Sequence, residues 1–440
     1  MKWLKRLSIA LVVLLAIAAA IPLFVKLDDF IPRIEREASA KLKEPVTIKS
    51  IKLGLLPVPH ITVDGITVGK TGDITLDKVT VTPALLSLLS APKVIRSLEL
   101  KSLVLTQKAI DKIPLWSKSD PASPPPVRIE SIRLDDALVK LDKSSFGPFD
   151  ARVTLDGKGE PADAQITTQD GKLKASIKPD KGNYLIDAVA KGWKSPVGPP
   201  IEFDELLMKG VATLHGADFS QVAAKLYGGT VTGKATAGWQ KGLQVKGSFE
   251  IAQVELKSLV PLVSPGTKMS GRLNAKPVFS AAAADPAQLK NALHLETPFS
   301  VQNGILYGVD IQKAATSLLS KEPTGGETHF DQLSGHLVRD RAAHKFTDLK
   351  ISSGALAADG NVNISAKQDL SGRVNAQVKA VGTSANIPLN VAGTVHSPLL
   401  YPTGGTLVGA AIGTVLAPGI GTGIGAKAGQ AIEGLFGKQK

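Results

Sequence analysis

The sequence predicts a mainly β protein. We expect an N-terminal transmembrane helix, then an elongated, curved antiparallel β-sheet with a few short helices, and finally a C-terminal Gly-rich helical hairpin. Three observations predict this architecture: one long charge-free segment near the start, alternation of apolar and polar residues through the body, and regularly spaced glycines near the end.

The first 26 residues predict a membrane anchor. Lys2, Lys5 and Arg6 precede residues 7–25, which carry no charge and approach the roughly 20 residues needed to cross a bilayer. The positive flank predicts a cytoplasmic N-terminus, with everything after Lys26 exported. A cleaved signal peptide is the alternative, because the alanine patterns within residues 16–20 resemble cleavage sites.

Residues 27–43 predict a short amphipathic helix just outside the membrane. Phe30, Ile34, Ala38 and Leu42 recur at four-residue spacing, which places them on one helical face.

After residue 43 the period changes to two, as in antiparallel strands with one apolar and one polar face. Asp-Gly and Asn-Gly steps between the alternating runs are typical of hairpin turns. Phase slips, such as Val79 following Leu76, predict bulges. The alternation gives a set of candidate residues on the apolar face: Ile61, Val63, Val79, Val81, Leu98, Leu100, Leu243, Val245, Phe249 and Ile251.

Helices are expected at residues 84–89, after Asp285-Pro286, and at residues 311–319 with Asp310 as the cap. Proline-containing breaks fall at residues 119–126 and 195–200.

Composition narrows the function. The chain of 440 residues has no cysteine, which excludes disulfide scaffolds, zinc ribbons and thiol catalysis. Its net charge of +13 favours anionic partners. Aromatic residues make up only 5%, which is few for base stacking, so a membrane surface is favoured over nucleic acid.

Motifs for catalysis, cofactors or metals are not found. Residues 228–235 approximate a phosphate loop, but Ala235 stands where a Ser or Thr should bind magnesium, and a hairpin is favoured. His329, His336 and His344 match no metal spacing and are interpreted as surface residues. We therefore expect a protein that is not an enzyme, with no catalytic, cofactor-binding or metal-binding residue.

Charged residues within the strand regions are assigned to solvent. Asp135 and Asp136 are expected at a solvated strand edge. The lysines that alternate with apolar residues are expected on the polar strand face, with contact to anionic headgroups as the functional alternative: Lys49, Lys52, Lys172, Lys174 and Lys178.

The stretch DDFIPRIEREASAKLKEPVTIKSIKLGLLPVPHITVDGITVG, followed by PALLSLLS and SLELKSLVL, resembles the AsmA family of Gram-negative envelope proteins. AAKLYGGTVTGKATAGW, NGILYGVDIQKAATSLL and LKISSGALAADGNVNI resemble later parts of the same family. The resemblance covers residues 28 to about 400. It implies an anchored periplasmic protein with a trough-like β-groove, divided here into residues 44–270 and 271–401.

A sheet with one apolar face needs a second layer or an apolar partner. An acyl chain is a suitable partner, because burying sixteen methylenes contributes on the order of 12 kcal/mol. A closed sandwich or barrel with an ordinary core remains the alternative.

Two functional hypotheses follow. In the first, the protein is a single-pass inner-membrane protein that binds or conveys phospholipid on the apolar groove and supports outer-membrane lipid homeostasis. In the second, the same sheet is a scaffold for assembling outer-membrane or other envelope proteins. A secreted β-protein, released by signal cleavage, is a third reading.

Residues 402–440 predict a helical hairpin and tail. Residues 406–417 and 420–436 would form the two arms, separated by Pro418-Gly419. Small residues at every fourth position allow close helix packing: Gly405, Gly409, Gly413, Gly421, Gly425 and Gly429. The hairpin would dip into a membrane, lie across the end of the groove, or cap the sheet in solution.

Overall fold

A computed structural model describes residues 27–89, 93–116, 127–141, 144–196, 198–213, 215–240, 242–284, 286–316, 325–354, 356–380 and 383–403. This part of the chain is mainly β, as predicted, with 24 strands and a few short helices. It divides into two compact units. Unit 1 comprises Met1–Lys191 with Pro196–Gly198, and unit 2 comprises Gly192–Ser195 with Pro199–Lys440, each within the described ranges.

Unit 1 is built on eleven strands, the last of which continues into unit 2. The strands are β1 (Val46–Gly54), β2 (His60–Val68), β3 (Ile74–Pro83), β4 (Lys93–Lys101), β5 (Val104–Thr106), β6 (Val127–Ile129), β7 (Ser131–Leu141), β8 (Ser144–Leu155), β9 (Pro161–Thr168), β10 (Leu173–Asp180) and β11 (Asn183–Lys194). The helices are α1 (Ile31–Leu42) and α2 (Gln107–Trp116), with 3-10 turns at Leu27–Phe30 and Leu85–Leu89.

Strand pairing in unit 1 departs from the antiparallel prediction at one place. Consecutive strands pair antiparallel from β1 to β4 and from β7 to β11. Between these runs, β4 pairs in parallel with β6 and β7, and β5 pairs in parallel with β7. A parallel neighbour needs a crossover of a dozen or more residues, which the segment containing α2 provides.

Unit 2 continues with antiparallel pairing throughout its described strands. These are β12 (Glu202–Ala212), β13 (Gly216–Leu226), β14 (Gly229–Gly238), β15 (Leu243–Glu255), β16 (Met269–Ala275), β17 (Val278–Ala283), β18 (His294–Tyr307), β19 (Glu327–Asp340), β20 (Ala343–Ser352), β21 (Leu356–Ile364), β22 (Leu370–Ala380), β23 (Thr383–Thr394) and β24 (Ser397–Pro402). The helices are α3 (Leu256–Val263) and α4 (Ile311–Thr316), with a 3-10 turn at Pro286–Ala292.

The predicted helix α1 forms and lies along the outer edge of β1. Backbone N–H groups of that edge donate to side chains of α1 and of the 3-10 turn before it: Val46 to Ser39 Oγ at 2.9 Å, Ile48 to Glu35 Oε1 at 2.7 Å, and Ile51 to Asp28 Oδ1 at 2.7 Å. Edge groups that would otherwise attract another strand are thereby satisfied.

The predicted bulge between Leu76 and Val79 is wrong, because β3 keeps a constant register with β2 and with β4 and β5 across these residues. Bulges of one repeated construction occur at other places. Asp136, Gln253 and Asp348 have positive φ angles, and each lies where the strand register shifts. The backbone N–H of each of these residues donates a hydrogen bond to a side-chain oxygen on the next strand. The acceptors are Asp150 at 3.0 Å, Asn274 at 3.1 Å and Asn361 at 3.1 Å, respectively.

Helix α2, which the sequence did not predict, is tied to the sheet by an ion-pair cluster. Lys112 Nζ lies 2.6 Å from Glu44 Oε1 and 2.9 Å from Asp73 Oδ2, and Thr71 donates to Asp73 Oδ1 at 2.6 Å. Asp73 is buried. The hydrogen bond from Lys112, followed by that from Thr71, lowers the pKa of Asp73.

Other helix predictions hold in part. The N–H of Lys313 donates to Asp310 Oδ1 at 2.8 Å, which confirms the cap of α4, although the described helix ends at Thr316. Residues 84–89 and the segment after Pro286 form 3-10 turns rather than α-helices. Helix α3 was missed: Glu255 ends β15 and caps α3 by accepting the N–H of Lys257 at 3.1 Å.

The largest buried core lies in the C-terminal part of unit 2. Ile311, Ala314 and Ala315 of α4 pack with Ile387 and Leu389 of β23, and Leu389 is fully buried. In this part of unit 2, a helix therefore covers the apolar face of the sheet.

The bulge acceptor Asn361 has a matched control on the same strand. Asn361→Ala leaves the N–H of Asp348 without its protein acceptor, so we expect the free energy of unfolding to fall by about 1 kcal/mol. Asn363→Ala removes the same side chain two residues away, where the change should stay within about 0.5 kcal/mol. Urea unfolding measures both. Equal effects would show that the bulge bond does not stabilise the fold.

The cluster around Asp73 predicts acid sensitivity of unit 1. Because the pKa of Asp73 is lower in the folded state than in the unfolded state, its ionised carboxylate stabilises the fold. This stabilisation is fully present above the ordinary pKa of about 3.9 and is lost as pH falls through the folded-state pKa. Asp73→Asn should therefore flatten the fall in melting temperature below that pH. The exposed Asp77 gives the control: Asp77→Asn should leave the slope unchanged.

Candidate functional site

The strand register of unit 1 aligns apolar side chains into two continuous rows on one face. Residues directly opposite each other on paired strands share a face. The first row contains Ile51, Val63, Val79, Leu100, Leu134, Ala151, Ile166, Ala175 and Ala188. The second contains Leu53, Ile61, Val81, Leu98, Ile132, Val153, Ala164, Ile177 and Ile186. We call these two rows the apolar stripe.

The residues between these rows in sequence form a polar row on the opposite face. It contains Lys52, Thr62, Thr80, Glu99, Arg133, Arg152, Gln165, Ser176 and Asp187. Lys52 Nζ lies 2.8 Å from Asp64 Oδ2, and this contact lowers the pKa of Asp64. The two faces of unit 1 therefore differ sharply in chemistry, with charge confined to one of them along these rows.

The apolar stripe remains partly open to solvent. Of the six predicted residues in unit 1, Val79 is buried and Ile61 is 37% exposed. The other four are half-buried: Val63, Val81, Leu98 and Leu100. Helix α1 packs at β1, and α2 packs at β5 and β7. Among the described residues of unit 1, each helix therefore packs on one or two strands, and neither covers the apolar stripe along its whole length.

The four predicted residues of unit 2 also share one face, on β15. Val245 pairs with Ala237 and Ala281, and Ile251 pairs with Val231 and Ala275. All four side chains (Leu243, Val245, Phe249 and Ile251) are half-buried.

Aromatic rings on this face lie over glycines. A Cβ at Gly233 would come within 2.6 Å of the Phe249 ring, and one at Gly247 within 2.6 Å of the Phe279 ring. The two rings stack with centroids 5.9 Å apart. Glycine at these positions therefore makes room for a flat aromatic surface.

The alternative motifs resolve into structural features. Residues 228–235 lie in the β13–β14 hairpin, as predicted, with Leu226 opposite Gly229.

The three histidines contact neighbouring acids or are half-buried. His329 contacts Glu327 and His336 contacts Glu296, at 2.7 Å and 2.9 Å between Nε2 and Oε1. His344 is half-buried, so it corrects the surface prediction; burial, then the charge of Arg339, lowers its pKa. In the described ranges, no cluster of three or more His, Cys, Asp or Glu could hold a metal ion.

The predicted strand edge at Asp135 and Asp136 is wrong, because both lie in β7, which pairs with β4 and β5 on one side and with β8 on the other. The two residues have different roles. Asp135 pairs with Arg133 at 2.8 Å, as a solvated strand acid would. Asp136 is a bulge residue whose carboxylate accepts from Ser102 Oγ at 3.0 Å and Gln169 Nε2 at 3.0 Å. The five lysines assigned to the polar face are all exposed.

One cleft was not anticipated. It has a volume of about 660 Å³ in unit 2 and is lined by Lys234, Lys246, His294, Asp218 and Glu296, among others. Its bases and acids are mixed, so no ligand charge is favoured.

The remaining predictions fall outside the described residues. These are the anchor at residues 1–26 and the six glycines of the C-terminal hairpin, Gly405, Gly409, Gly413, Gly421, Gly425 and Gly429. Within the part of the chain that is described, no helix combines the length and apolarity required to cross a membrane. Comparisons with protein-family models, curated proteins and solved structures found no match for this chain.

The apolar stripe predicts binding of apolar probes, and adjacent residues on β3 give a matched test. Val81→Asp places a carboxylate on the stripe and should weaken binding of N-phenylnaphthylamine at least about tenfold, or 1.4 kcal/mol, because the charge must be desolvated. Thr80→Asp adds the same charge to the opposite face and should leave affinity unchanged. Fluorescence titration measures both, and equal weakening would contradict binding on the stripe.

Proposed function

We propose that this chain is an AsmA-like protein of the inner membrane that binds phospholipid acyl chains on its apolar stripe. In this proposal residues 1–26 anchor it, the N-terminus is cytoplasmic, and the bulk of the chain is periplasmic. The bound lipid serves outer-membrane lipid homeostasis. The continuity of the apolar stripe across nine paired strands supports the proposal most strongly.

The dimensions of the apolar stripe suit an acyl chain. Nine strands at about 4.8 Å spacing extend over about 38 Å, and the two rows lie about 7 Å apart. One leaflet of a bilayer contributes about 15 Å of hydrocarbon, half of the roughly 30 Å core. The stripe therefore exceeds the length of a phospholipid tail and supports the trough-like groove in the proposal.

The side chains also suit a fluid apolar ligand. They are aliphatic and free of charge along both rows, and all but the buried Ile51, Val79, Ala151 and Ala164 are partly exposed. A soluble β-sheet that leaves such a row in water loses the stabilisation of burying it, and an acyl chain restores it at about 0.8 kcal/mol per methylene.

A scaffold for envelope proteins is the second candidate, and the edge at β24 favours it. Among the described strands, β24 pairs only with β23. An open edge can accept an extended peptide by strand addition. In this candidate the partner lies at β24 rather than on the apolar stripe.

Phospholipid binding is tested on the full chain extracted in mild detergent. Native mass spectrometry should find co-purified phospholipid. A benzoyl-phenylalanine photo-crosslinker at Val63, on the stripe, should form lipid adducts, whereas the same group at the adjacent Thr62 should not.

The opposite result separates the two candidates. If no phospholipid co-purifies and Val63 forms no lipid adduct, the lipid proposal is wrong. Peptide adducts at a crosslinker on Tyr401, a half-buried residue of β24, would then support the scaffold.

A further inference from the structure

One end of unit 1 carries a cluster of large apolar side chains in water. The β1–β2 loop presents Leu56, which is 64% exposed, and Val58. The β3–β4 connection presents Leu85 and Leu86, the latter 90% exposed. The 3-10 turn before α1 and the first turn of α1 present Phe30 and Ile34, which are both exposed. We call these six residues the apolar tip.

Strand register places the two loops at the same end of the sheet. Gly54 pairs with His60, Ile61 with Val81, and Pro83 with Ile95. The end of β1, the start of β2, the end of β3 and the start of β4 are therefore neighbours, and both loops project from that end.

The two loops lack charge. Residues 53–59 carry no Lys, Arg, Asp or Glu, and neither do residues 79–92. Exposed connections of soluble proteins are usually polar, and a contiguous exposed apolar patch marks an interaction or membrane surface.

The chain enters unit 1 at this same end. The hydrogen bond from Ile51 N–H to Asp28 Oδ1 holds Asp28 beside the last residues of β1. Leu56 is five residues beyond Ile51, which limits their separation to about 17 Å. The apolar residues 7–25 end two residues before Leu27. If that segment spans a bilayer, its exit point and the apolar tip lie on the same side of unit 1.

We propose that the apolar tip inserts into the interface of a phospholipid bilayer beside the predicted anchor. Leu56, Val58, Leu85 and Leu86 supply the inserted side chains, and Phe30 and Ile34 lie against the interface at the start of α1. These three chain segments then hold unit 1 on the membrane in addition to the predicted anchor. The contact is independent of whether lipid occupies the apolar stripe.

The absence of cysteine allows a site-specific test on the full chain. Leu56→Cys and Leu86→Cys are labelled with the fluorophore NBD, and the protein is reconstituted into vesicles of phosphatidylethanolamine and phosphatidylglycerol. Leu185→Cys is the matched control, because Leu185 is an exposed leucine of β11 outside the apolar tip. Quenching by aqueous iodide and by lipids with a doxyl group near the headgroup is measured for each.

NBD at positions 56 and 86 should be several-fold less accessible to iodide than at position 185, and doxyl lipids should quench only the first two. Leu85→Asp combined with Leu86→Asp should reduce doxyl quenching of the label at position 56. Equal iodide access at all three positions would overturn the proposal. Protection from iodide without doxyl quenching would also overturn it, because a protein then covers the tip. Lipid co-purification, measured separately, reports on the apolar stripe and not on this contact.

Discussion

The two-residue period of a β-strand constrains the rest of this structure. A strand keeps one face apolar only while its alternation is unbroken, but strands of ten to fourteen residues in a twisted sheet need local breaks. Bulges at Asp136, Gln253 and Asp348 provide these breaks. At each one the apolar pattern shifts by a residue, from Leu134 to Ala137 in the first case. The displaced N–H is accepted by a neighbouring Asp or Asn, so the apolar face continues across the break at little cost.

The apolar strand face is covered to different extents in different parts of the chain. In the C-terminal part of unit 2, α4 covers it and produces fully buried residues such as Leu389. In unit 1 most large aliphatic residues of the two rows stay half-buried, although Ile51 and Val79 are buried. One face of the strands is therefore covered by a helix in the C-terminal part of unit 2 and is left partly open along the rows of unit 1.

Local pattern predicted most strands, the shared face of the six candidate residues in unit 1 and that of the four in unit 2, because alternation involves only neighbouring positions. The cap at Asp310 and the hairpin at residues 228–235 were predictable for the same reason. The parallel pairing of β4 with β7 was not, since it depends on where the chain returns after α2. The cluster of Glu44, Asp73 and Lys112 joins positions far apart in sequence. Neither could have been found without knowing which distant strands are neighbours.

Helix α1 has a consequence for how far the sheet of unit 1 can grow. Ser39, Glu35 and Asp28 give the edge of β1 acceptors but present no new row of donors and acceptors beyond it. A second copy of the chain therefore finds no template there, and edge-to-edge polymerisation is stopped at this side. In repeat proteins, terminal caps likewise cover the last repeat, so that no further copy can stack on the array. Twelve residues of helix make β1 the terminus of its sheet, just as a cap ends a solenoid.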